Sequence, residues 1–128
     1  SDQKVIRDIN LVAKGQTIVL DHLIFAQGKS LIDPKSYGQL DEVIQMMKEN
    51  PSMEIQLEGH TDNVGNSQKN LELSQSRVDA VKRYMTDKGI GKARIRTKAF
   101  GGSRPLRNEM TPEARAQNRR VEMRILKD

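Results

Sequence analysis

The chain has 128 residues, the size of one domain, and 35% of them are apolar, with Phe25, Phe100, Tyr37 and Tyr84 the only aromatics; its core must be aliphatic, with methionine filling gaps. Twenty-two basic against 17 acidic residues give a net charge of +5, which favours anionic partners at long range without naming one. The absence of cysteine excludes thiol catalysis, disulfides and Cys-ligated metals, and apolar runs such as Leu23–Ala26 are too short to insert the isolated domain into a bilayer.

No signal peptide opens the chain, and Ser1-Asp2-Gln3-Lys4 reads as a cut edge of a longer protein whose anchor lies upstream. Residues 1–14 are expected to form an N-terminal arm or edge strand, because Val5, Arg7, Ile9 and Leu11 alternate with Ile6, Asp8 and Asn10. Gln16 to Asp21, following Gly15, is a β-branched run that predicts a strand, and Gln27-Gly28-Lys29-Ser30 predicts a turn after Phe25. From Pro34 on, Tyr37, Leu40, Ile44 and Met47 recur at helical spacing beside Val43, and Asn50-Pro51 stops that helix. Met53, Ile55 and Leu57 alternate with Glu54, Gln56 and Glu58 in a strand that runs into Gly59-His60-Thr61-Asp62-Asn63. A second helix begins near Ser67, with Asn70, Ser74, Arg77, Val81 and Tyr84 on one side, and Gly89 caps it. Arg94 to Phe100 is a third strand, Thr111-Pro112-Glu113 starts a short helix, and Val121, Met123 and Ile125 mark the last strand. The fold class is therefore α/β: a β-α-β-α-β-α-β two-layer sandwich over 15–128, with the helices packed on one face of a mixed sheet.

Two places carry binding chemistry. The segment Thr61-Asp62-Asn63 gathers donors and acceptors where a strand ends, a favoured position for sites in α/β folds; it also reads as a turn that caps itself. Arg77 shares a helical face with the core residues Leu73 and Val81, where a guanidinium needs an anion or hydrogen-bond acceptors. Asp62 is its expected protein partner. The pair is then either a plain structural bridge or a receptor for a zwitterion, one residue taking the carboxylate and the other the ammonium. Arg115, Arg119 and Arg120 cluster after the third helix; neighbours in the final strand point to opposite faces, so one of Arg119 and Arg120 can line the loop while the other bonds to sheet, solvent or carboxylate. With only His22 and His60, at no ligand spacing, the sequence gives no metal site. No nucleophile stands beside a base, so no catalytic residue and no cofactor is expected, and the aromatic platforms typical of single-strand nucleic-acid binders are lacking.

Ile55 to Gly65, then Asn70 and Leu73-Ser74-Gln75-Ser76-Arg77, then Gly89-Ile90, Arg94, Phe100-Gly101, Pro105, Asn108 and Arg115-Ala116-Gln117-Asn118-Arg119-Arg120-Val121-Glu122, in this order, resemble the OmpA-like peptidoglycan-binding domain over Gly15 to Lys127. The resemblance implies a non-catalytic domain on the periplasmic side of the outer membrane of a Gram-negative cell. There it binds peptidoglycan through the meso-diaminopimelate of the stem peptide and tethers the outer membrane or an envelope complex to the cell wall. It implies that Asp62 and Arg77 grip the ammonium and carboxylate of that residue, that Asn70 and Leu73 shape the pocket, that Arg120 lies near the ligand and that Thr61 and Asn63 supply polar contacts. The alternative is a structural or partner-binding envelope module without murein affinity. Val78, where the family usually has alanine, is the main departure and adds bulk on the core side.

Overall fold

The computed structural model describes residues 4–5, 14–20, 25 and 29–128. Its elements run β1 (Lys4–Val5), β2 (Thr17–Val19), α1 (Tyr37–Glu49), β3 (Glu54–His60), α2 (Ser67–Asp87), β4 (Ile95–Gly101), α3 (Pro112–Asn118) and β5 (Arg120–Lys127). The strands form one sheet in the order β1-β2-β5-β3-β4; β1–β2 and β3–β4 are parallel, and β5 is antiparallel to both β2 and β3. Beyond Lys4–Val5, the expected arm over residues 1–14 lies almost wholly outside the described residues, as do Asp21, Gln27 and Gly28.

Local chemistry sets the helix limits. Asp33 accepts a hydrogen bond from the Lys35 N–H at 2.9 Å and opens a single 3-10 turn, Pro34–Ser36, that leads into α1. Asn50 closes α1 by donating its side-chain amide to Met46 O. In α2, Asn66 accepts from Lys69 N–H at 2.9 Å. At its other end Gly89 adopts φ +103°, with Gly89 N–H bonded to Thr86 O and Ile90 N–H to Met85 O, the paired bonds of a Schellman ending. Thr111 caps α3 through the Ala114 N–H, with Pro112 at the first position. The third strand starts one residue later than its sequence suggests. Arg94 belongs to a 3-10 turn, Lys92–Arg94, where its guanidinium donates to Met47 O, Asn50 O and Met53 O and ties the strand's entry to the end of α1.

One apolar cluster fills the space between sheet and helices. Cross-strand partners Ile55–Ile125 and Leu57–Met123 supply its floor, and Leu40, Ile44 and Met47 of α1 pack there with Val78, Val81 and Met85 of α2. Helix α2 crosses β3 directly over Gly59: a Cβ built there would lie 2.6 Å from Ser74 O and 2.9 Å from Val78 Cγ1. Val78 is fully buried at this crossing, so the extra bulk noted in the sequence is absorbed by a glycine. Gly59→Ala is expected to lower stability by about 1–3 kcal/mol, the usual cost of overpacking a filled core; a melting temperature equal to the parent's would contradict this close approach.

The outer face of the sheet is polar. On it Glu58 of β3 lies opposite Glu122 of β5, and each carboxylate is paired, Glu58 with Arg124 at 2.9 Å and Glu122 with Arg120 at 2.5 Å. Among the described residues no helix is long and apolar enough to cross a membrane.

Candidate functional site

The loop after β3 is fixed by its own backbone. Thr61 is buried; its N–H donates to Gly101 O at 2.8 Å and its hydroxyl donates to Asp62 O at 2.7 Å. Asn70, on the first turn of α2, donates to Val64 O at 3.0 Å and so closes the loop from the helix side. Asn63 is exposed at the rim, whereas Leu73 is half-buried on α2.

Asp62 and Arg77 both reach this end of the sheet, and both are buried. They do not pair with each other. One carboxylate oxygen of Asp62 accepts from the Val64 N–H at 3.0 Å; the other accepts from Arg119 at 2.8 Å and lies 3.5 Å from Arg115 Nε. Burial pushes the Asp62 carboxyl up. The hydrogen bonds from Arg119 and Val64, with the charges of Arg115 and Arg119, outweigh it and hold the group below its ordinary value. Arg77 donates through Nε to Lys29 O at 2.9 Å and lies over the Phe25 ring, 4.9 Å from its centroid. Among the described residues no carboxylate comes within ion-pair distance of it. Burial, and then repulsion from Arg119, lowers its pKa. The Asp62–Arg77 partnership expected from the sequence is therefore corrected: Arg119 and Arg115 neutralise Asp62, and Arg77 is left as a buried cation resting on one carbonyl and one ring.

Arg119 and Arg120 serve different partners, as expected, but not by strand alternation: Arg119 caps the end of α3 and only Arg120 lies in β5. Arg115 and Arg119 lie one helical turn apart at the end of α3 and both face Asp62. That end is held by Asn118, whose side chain accepts from the Leu106 and Arg107 N–H groups and donates to Arg107 O. Arg120 turns the other way, to Glu122, Asn118 O and Arg104 O. A cavity of about 20 Å³, room for one water, is lined by Arg77, Arg119 and Arg120 together with Phe25, His60 and Ser74. Arg120 thus borders the site, although its guanidinium is committed elsewhere. The Ser74 hydroxyl donates to Leu71 O and accepts from the Gly101 N–H, locking α2 to the end of β4.

His60, the last residue of β3, is 3% exposed and stacks on Phe100 with ring centroids 5.1 Å apart. Burial first, and then the Arg120 charge, depresses its pKa to about 4, so the ring is neutral at physiological pH. Sequence reasoning missed Phe25 and Lys29 as the seat of Arg77, for which no local signal exists. It also missed Arg115 and Arg119 as joint partners of Asp62, for which their spacing of four on a helix is a signal.

Among the described residues the site thus presents a buried cation without a counter-anion and, in the loop after β3, a buried carboxylate held by arginine. Residues 24–119 match the model of the OmpA family, and the chain belongs to that family. It is 37% identical over 97 residues to outer membrane porin F of Pseudomonas fluorescens, covering 76% of this chain and 30% of that protein. It is 38% identical over 96 residues to the peptidoglycan-binding protein ArfA of Mycobacterium tuberculosis, covering 75% of this chain and 29% of that one. Among solved structures, the peptidoglycan-associated lipoprotein from Burkholderia pseudomallei superposes with a TM-score of 0.76 at 28% identity, covering 80% of this chain and 87% of the other. The chain spans less than a third of the length of the two full-length relatives.

Proposed function

We propose that this domain binds peptidoglycan without catalysis, through the meso-diaminopimelate of the stem peptide. In that role it tethers the outer membrane or an envelope complex to the cell wall from the periplasmic side, with an anchor supplied elsewhere in the protein. The observation that carries the reading is Arg77, buried beside Arg119 and without an anionic partner among the described residues. A buried guanidinium that is not neutralised by its own protein is stabilised by an incoming carboxylate, and its planar terminal nitrogens match that group two-for-two. The ammonium of the same α-carbon goes to Asp62. Its carboxylate has lone pairs beyond those used by Val64 and Arg119, and the half-exposed Arg119 side chain can yield its place or share it. Thr61 and Asn70 act by holding the loop, Asn63 by contact at the rim, and Leu73 and Arg120 as walls.

The names of the relatives, a peptidoglycan-binding protein and a peptidoglycan-associated lipoprotein, support the polymer; the ammonium–carboxylate grip rests on this site's charges. Co-sedimentation with purified sacculi tests it. The domain is expected to pellet with sacculi, to be released by free meso-diaminopimelate but not by a dicarboxylic acid lacking the amino groups, and to liberate no soluble fragments. Equal release by both competitors would point to simple charge attraction and would remove the zwitterion reading.

A further inference from the structure

We propose that Glu58, His60 and Glu122 form a binding site for one divalent transition-metal ion on the outer face of the sheet, a site that owes nothing to the stem-peptide reading. The sheet register builds it. Glu58 and His60 stand two apart on β3, and β5 runs antiparallel so that Glu122 falls directly opposite Glu58. One ligand atom from each residue lies within 4.8 Å of the others, and all three residues are buried, at 2%, 3% and 5% exposure. Two carboxylates facing each other across a ladder repel, and burying them needs a positive charge between or beside them.

His60 is the second, independent observation. Neither of its ring nitrogens has a hydrogen-bond partner among the described residues, although the side chain is almost wholly enclosed. Buried polar atoms are nearly always paired, so an imidazole left in this way calls for a further partner, such as a water or an ion. Imidazole nitrogen with two carboxylate oxygens suits zinc, cobalt or nickel rather than calcium or magnesium, which prefer oxygen alone. Metal–nitrogen and metal–oxygen bonds of about 2.0–2.2 Å require the three groups to close by about 1 Å, within reach of side-chain rotation.

Two arginines serve as counter-charges when no metal is bound, and one of them can turn away. Arg124, whose side chain is 40% exposed, bonds Glu58 at 2.9 Å and can turn to solvent. Arg120 uses only Nε for Glu122; its terminal nitrogens stay on Asn118 O and Arg104 O. Gln56, which donates to Glu58 at 2.7 Å, remains to orient that carboxylate. The sequence by itself offers no such site, because Glu122 is brought in only by strand pairing.

The chain has just two histidines, which makes a test on the unmodified protein decisive. Chelator-treated protein is titrated with Zn²⁺ while the imidazole resonances of His22 and His60 are followed by NMR. The His60 signals are expected to move and saturate at one equivalent. Calorimetry should show binding weakened about tenfold or more in Glu122→Gln, and strengthened in Arg124→Gln, where a competing cation is gone; a purely structural role for Arg124 would give no such gain. A response confined to His22, or an affinity unchanged in Glu122→Gln, overturns the site. Sacculus binding is expected to be the same with Zn²⁺ or with chelator, so either result leaves the stem-peptide reading to its own test.

Discussion

Arg77→Ala is expected to weaken binding of a meso-diaminopimelate tripeptide by roughly 10- to 100-fold while leaving the fold intact. The size follows from a net loss of one charge-assisted hydrogen bond, at about 1.5–3 kcal/mol and about 1.4 kcal/mol per decade. The geometry also fixes what should happen to stability. Among the described residues Arg77 forms no ion pair with a carboxylate, and its only hydrogen bond there goes to Lys29 O. Removing it gives up that bond and the contact with Phe25, but it also relieves a buried charge and its repulsion from Arg119. Arg77→Met should therefore melt at or near the parental temperature while binding as poorly as Arg77→Ala. A structural bridge to Asp62 would instead make affinity and stability fall together. Arg77→Lys should recover little, because an ammonium cannot offer the two-pronged contact to a carboxylate. Titration calorimetry on each folded variant decides the matter; near-parental affinity in well-folded Arg77→Ala would sink the site.

Acid should destabilise the protein over a window set by His60. Its pKa is about 4 in the folded protein against an ordinary 6.5. Between those values the unfolded chain takes up a proton that the folded chain refuses, so stability falls as pH falls from 6.5 towards 4 and this contribution then levels off. A gap of that size corresponds to a loss on the order of 3 kcal/mol, a large share of the stability of a domain this size. Asp62 and Glu58, both held below their ordinary values, act in the same direction but at lower pH: their stabilisation is present above the unfolded carboxyl pKa and is lost as pH falls through the folded one. Urea unfolding at pH 7, 5.5 and 4.5, in chelator and in a His22→Gln background, should show the loss, and His60→Gln should flatten it. A parent protein equally stable at pH 7 and 4.5 would show that the ring accepts its proton in place.

Much of the architecture is legible in the order of residues because its signals are local. The stripe of Leu40, Ile44 and Met47, the stop at Asn50-Pro51, the Gly89-Ile90 ending and the Thr111-Pro112 cap each act within a helical turn. Each appears in the structure where the sequence puts it, to within a residue. The same holds for the alternation of Ile55 and Leu57 with Gln56 and Glu58, which separates an apolar inner face from a polar outer one. Asp62 and Arg77 stand out as candidates for a related reason: their positions, after a strand and on the inward border of a helix, are unusual for charges.

What each charge meets was decided only by tertiary structure. Asp62 is bonded to Arg119, 57 residues away, and not to Arg77 on the next helix. That pairing depends on where β5 enters beside β3, which places His60 opposite Arg120 and leaves Arg119, one residue earlier, at the end of α3 above the loop. The same register sets Glu58 against Glu122, and a contact 48 residues long sets Arg77 on Lys29. Helix caps and hydrophobic periods are satisfied within a few residues and so are written into short stretches of sequence. A buried charge is satisfied by whichever group the sheet order carries to it, and the order β1-β2-β5-β3-β4 arises from burying the whole core at once.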